Sequence, residues 1–131
     1  MIADKQHYRK QIIDYLELVA SKKAQLEYQI SVPVADVPAE LFCMWFDDLY
    51  TPADDPSIYN PGVFEEGVRE FESCFSTEEI EALKKFHEHF ESVADAIPPN
   101  LRLEELQTNR LWREVMVAAV KALEVFRSTP N

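Results

Sequence analysis

Prolines divide this chain into helical lengths. Seven of its eight prolines fall in three places: Pro33 and Pro38, then Pro52, Pro56 and Pro61, then Pro98-Pro99. A proline has no N–H to give a helix and biases the residue before it away from helical backbone, so each place is a break. Between the breaks, apolar residues recur every three or four positions and almost nothing alternates with period two.

The first helical length runs from about Lys5 to Gln29, with Asp4 as its N-cap, and carries an apolar stripe of Ile12, Leu16, Val19, Leu26 and Ile30 with Tyr8 and Tyr15 beside it. A second covers Ala39 to Tyr50 and opens with Pro38 in its first turn; Leu41, Phe42, Trp45, Phe46 and Leu49 give it a broad apolar side. Residues 51–59 are loop. Asn60-Pro61 reads as the cap and first residue of a third helix ending near Cys74, with Phe64, Val68, Phe71 and Phe75 on one face. Ser76-Thr-Glu-Glu79 is a capping box that opens a fourth helix to about Ala96, whose stripe is Ile80, Leu83, His87, Phe90, Ala94 and Ile97. The last helix starts near Thr108 or Asn109 and runs to Phe126, turning Trp112, Val115, Met116, Ala119 and Leu123 inward. The expected fold is all-α: one domain over residues 1–131, a bundle of about five helices with a Pro-rich loop near residues 51–61. A chain of 131 residues buries a core without staples.

Charge narrows the function classes. The net charge is −11, and it is not spread evenly. Residues 1–34 and 98–131 each hold five bases and four acids, whereas Asp36 to Glu81 carries thirteen acids against a single base, Arg69. That excess opposes direct nucleic-acid binding, which needs Lys and Arg in place of counterions, and it opposes an anionic membrane surface. Two glycines leave no glycine-rich phosphate cradle. The longest apolar run is Leu41 to Phe46, far short of a bilayer span, and the amino terminus has no signal-peptide core, so the expected location is the cytoplasm.

The sequence offers little for catalysis. Cys43 and Cys74 sit among apolar neighbours and read as two reduced core thiols. His87 and His89 are two apart and diverge by about 200° on a helix, so they cannot share an ion. Asp47 to Tyr59 lacks the glycine and the closing glutamate of a calcium loop. The reading is therefore no catalytic residue, no metal and no cofactor. The enzymatic alternative is a Mg²⁺-dependent nucleotide or small-ligand hydrolase using Glu88, Glu91 and Asp95, which share one helix face.

Eight of the fifteen aromatic residues lie between Phe42 and Phe75, inside the acidic segment. Protein interfaces combine these two properties, because aromatic anchors supply binding energy and a single-sign field steers a partner of opposite charge. The expected function is a binding module whose face takes in Trp45, Asp47, Asp48, Tyr50, Asp54, Asp55, Tyr59, Glu65 and Glu66 and meets a basic protein. An immunity or inhibitor protein covering a basic toxin or nuclease is one form of it, by analogy of size and charge alone. Trp45-Phe-Asp-Asp-Leu-Tyr50 and Tyr59-Asn-Pro-Gly62 are distinctive enough to serve as a family signature. A further alternative is a structural homodimer that buries the broad apolar side of the second helix.

Overall fold

The computed structural model describes residues 5–128, and all its regular structure is helical. Seven α-helices follow in order: α1 (Lys5–Ala20), α2 (Lys22–Ser31), α3 (Val37–Cys43), α4 (Val63–Glu72), α5 (Thr77–Ala94), α6 (Leu103–Thr108) and α7 (Arg110–Ser128). A π-helical turn, Met44–Leu49, extends α3, and two 3₁₀ turns, Thr51–Ala53 and Pro56–Ile58, occupy the Pro-rich loop. The all-α expectation holds; the number of helices was too low.

One extra helix comes from a break in the expected Lys5–Gln29 length. At Ser21 the backbone turns extended (φ −124°, ψ 113°) and its hydroxyl accepts from the Ala24 N–H at 3.0 Å, capping α2. The carbonyls left open at the end of α1 are taken by a side chain: the Gln25 amide donates to Leu18 O (3.1 Å) and Val19 O (2.9 Å). Gln25 is fully buried, and its own oxygen accepts from the Gln107 amide at 3.0 Å. The break changes the helical phase, so Leu26 and Ile30, expected in the core stripe, are exposed. The expected cap Asp4 lies outside the described residues.

The second extra helix is α6. It buries Leu103, Leu106 and Gln107, and the Gln107 amide donates to Lys22 O as well as to Gln25. Its N-terminal cue is weak because the cap residue is Arg102, whose N–H is held by the Glu105 carboxylate at 2.8 Å.

Helix α3 starts at Val37, earlier than expected, because the Asp36 carboxylate caps the Ala39 N–H. Helix α4 starts later, at Val63. Its cap is Gly62 in the left-handed region (φ 86°), not Asn60. Phe71 and Phe75 are buried, while Phe64 and Val68 are only half-buried. The Ser76–Glu79 capping box forms as expected, and Asn109 caps α7 through the Leu111 and Trp112 N–H groups.

The core lies between α1, α5 and α7. Helices α5 and α7 are antiparallel: Phe75, just before α5, meets Phe126 near the end of α7, and Phe90 meets Trp112 at its start. The amino end of α1 is fastened to this pair by an ion pair. The Arg9 guanidinium forks onto the buried Glu79 carboxylate, with Nη2 to Oε2 at 3.0 Å, and lies against the rings of Phe75 and Phe126. Burial would raise the Glu79 carboxyl, but Arg9 and the Ser76 N–H more than offset it and hold it below the ordinary carboxylate range.

Candidate functional site

The acidic segment folds into the π turn, the two 3₁₀ turns and α4. The π turn decides which of its aromatics remain available. In an α-helix, residues five apart diverge by about 140°. Here the Tyr50 N–H bonds back to the Trp45 carbonyl, five residues earlier, and the two rings stack at 4.8 Å, tilted by 10°. Phe86, from α5, packs edge-on against Trp45, and His87 packs at 4.6 Å from Tyr50. Trp45 is 0% exposed and Tyr50 only 7%. Both were expected on the partner-binding face, and the structure corrects this: they are core, because the widened turn folds both rings inward against α5.

The interior cluster has one polar bridge. Trp45 Nε1 donates to His87 Nδ1 at 3.1 Å. An Nδ1 that accepts leaves the proton of a neutral imidazole on Nε2, and that atom faces Glu91 at 3.6 Å. Burial lowers the His87 pKa, and Glu91 and Glu88 only partly counter it. Burial likewise pushes Tyr50 up to about 12, helped by Glu72, Glu88 and Glu81. Neither group has a charge to exchange at neutral pH, and the cluster braces the π turn against α5.

The remaining members of the expected face are at or near the surface. Asp47 and Asp48 are exposed on the π turn. Asp55 accepts from the Ser57 N–H at 2.9 Å, which stabilises its carboxylate and lowers its pKa. Asp54 accepts from the Tyr59 hydroxyl at 2.7 Å, and this bond raises the phenol's pKa. Tyr59 also lies 6.0 Å from the Phe64 ring. Glu65 and Glu66 stand exposed in the first turn of α4, where the helix dipole favours carboxylates.

Two residues of this surface are not anticipated from the sequence. Ile58 is 72% exposed and Val63 is 45% exposed. They flank the Tyr59–Gly62 turn, between Asp54-Asp55 on one side and Glu65-Glu66 on the other. Along the chain, exposed aliphatic residues thus stand between two pairs of acids. No helical period runs through a turn, so periodicity assigns these two residues to neither core nor surface.

The cysteines part company. Cys74 is buried as expected, but Cys43 is exposed at the end of α3, on the side turned away from the core. Burial raises the Cys43 thiol first, and Asp47, Asp48 and Glu40 raise it further, so it stays protonated and is a poor nucleophile.

Among the described residues no three His, Cys, Asp or Glu side chains gather in a way that would hold a metal ion, and Glu91 turns toward His87. Among them also, no helix is long and apolar enough to cross a membrane. No protein-family model, curated protein or solved structure matches the chain, so the strings Trp45–Tyr50 and Tyr59–Gly62 carry no family assignment.

Proposed function

We propose that this protein is a binding module that acts in the cytoplasm and takes a basic protein partner on the surface formed by residues 54–66. The observation that carries the reading is the exposure of Ile58, Val63 and Tyr59 between two pairs of acids, Asp54-Asp55 and Glu65-Glu66. An aliphatic and aromatic centre excludes water and supplies contact energy, while the acidic margins set orientation and raise the encounter rate. Asp47 and Asp48 extend the same field along the π turn. A toxin or nuclease with a cationic phosphate-binding surface is the partner type with the complementary chemistry, and covering that surface would inhibit it.

The test is co-expression with the product of the adjacent gene, followed by co-purification at low and high salt. A complex is expected whose affinity falls by about tenfold or more between 50 and 300 mM salt. Ile58→Asp is expected to abolish it, and the Glu65→Lys/Glu66→Lys double variant to slow its formation. Absence of a basic partner, or binding indifferent to salt, would contradict the reading.

A further inference from the structure

A second surface lies along the outer face of α5 and α7. The two helices leave an open groove of about 1490 Å³ between them, with Ala82, Phe86, Ala118 and Val125 among its apolar lining. On the α7 side Val117 and Val120 stand exposed in mid-helix, where a helix that ends its packing at the core carries polar residues.

The charges beside this groove have a regular arrangement. Contacts between the helices fix which residues stand level: Phe75 with Phe126, Phe90 with Trp112, and His89 with Glu114. Counting in from those contacts, Glu81 of α5 stands level with Lys121 of α7, and Glu88 stands level with Arg113. Lys85, between the two acids, stands level with Val117. Glu81, Glu88, Arg113 and Lys121 are exposed, and none belongs to an ion pair among the described residues.

We infer that this face binds a second copy of the chain. A copy turned through a twofold axis parallel to α5 and α7 stacks its α7 on the first copy's α5 at the same level. Glu81 then meets Lys121 of the other copy, Glu88 meets its Arg113, and the Lys85 stem lies across its Val117. Each contact occurs twice, as an isologous interface requires. The result is a four-helix layer in which every neighbouring pair is antiparallel, with acid–base pairs flanking an aliphatic seam.

The area sets the size class of the interface. Helices of 18 and 19 residues side by side offer a face roughly 27 Å long and 20 Å wide. That is on the order of 540 Å² per copy, at the lower limit of specific interfaces, the size class of weak, reversible association. This surface does not depend on the proposed function, because residues 54–66 take no part in it.

Sedimentation velocity on the whole chain tests the assignment. The wild-type protein is expected to pass from monomer to dimer between about 5 and 500 µM. Glu81→Lys alone and Lys121→Glu alone each place like charges opposite one another in the homodimer, and each is expected to weaken it at least tenfold. An equimolar mixture of the two is expected to dimerise again, since the mixed pair restores both contacts. Glu88→Lys with Arg113→Glu forms a second such set, and far-UV circular dichroism shows that each variant is folded. A wild-type monomer at 500 µM would overturn the assignment, as would assemblies that grow beyond dimer. So would single variants that dimerise as the wild type does, or mixtures that associate no better than their components.

Discussion

The indole N–H of Trp45 donates to Nδ1 of His87 across 42 residues of sequence, at 3.1 Å. This bond ties the π turn that begins the acidic lobe to the long helix α5, and it exists only while His87 is neutral. Protonation would turn Nδ1 into a second donor facing the first.

A pH dependence follows from that bond. The folded-state pKa of His87 lies below its ordinary 6.5. Where a cationic group's pKa is lowered by folding, the unfolded chain binds the proton more readily, so stability is complete above 6.5 and falls as pH drops below it. Denaturant titrations from pH 7.5 downward are expected to show an unfolding free energy that declines below 6.5, and the Trp45 indole proton resonance should shift only at the lower pH where folded His87 takes up its proton. His87→Phe keeps an aromatic ring but leaves the buried indole N–H unpaired, and should remove this part of the dependence. A flat profile together with an unmoved resonance would contradict the assignment.

The Arg9–Glu79 pair serves both as a clasp between α1 and α5 and as the acidic half of a helix cap. Glu79→Ala removes both functions and leaves the guanidinium against two rings without a counter-charge. A loss of about 2–4 kcal/mol is expected by chemical denaturation. The sign with pH is also fixed: Glu79 has a lowered pKa, so its contribution is complete above the ordinary carboxylate value of 4.5 and is lost as pH falls through the folded value. Acid titration of the wild type and of Glu79→Ala should therefore converge at low pH.

Gln25 and Gln107 are coupled. Gln25→Leu removes the side-chain donor to the Val19 and Leu18 carbonyls, of which Leu18 O keeps only a long bond from the Ser21 N–H, and removes one acceptor of the Gln107 amide. It should cost about 2–3 kcal/mol. Gln107→Leu in addition should cost less than it does alone, and a double-mutant cycle measures that difference.

Gly62 holds φ at +86° to begin α4, and a Cβ there meets nothing within 4 Å. Gly62→Ala is therefore penalised by backbone conformation alone, by about 1–2 kcal/mol. A larger loss in thermal or chemical melts would mean that the turn makes contacts beyond its backbone.

These residues show what the sequence could reveal. The Ser76–Glu79 box and the stripes of α5 and α7 are local patterns, so helix class and most core positions were readable. The Ser21 break was not, because its stability comes from Gln25 and from Gln107, more than eighty residues away. Trp45 and Tyr50 read as surface anchors because they are aromatics inside the acidic segment, Tyr50 at the edge of the Pro-rich loop. The π turn that aligns them depends on packing against Phe86 and His87, which periodicity does not encode. The acidic field was legible from composition, but its aliphatic centre at Ile58 and Val63 was not, since turn residues follow no period.

Hydrogen exchange, measured on the chain alone and with the basic protein proposed to bind it, locates the surface on which that proposal rests. New protection confined to residues 54–66 and the adjoining π turn is expected, and it should vanish in Ile58→Asp. Protection on α5 and α7 with residues 54–66 unchanged, or no change anywhere, would contradict the account.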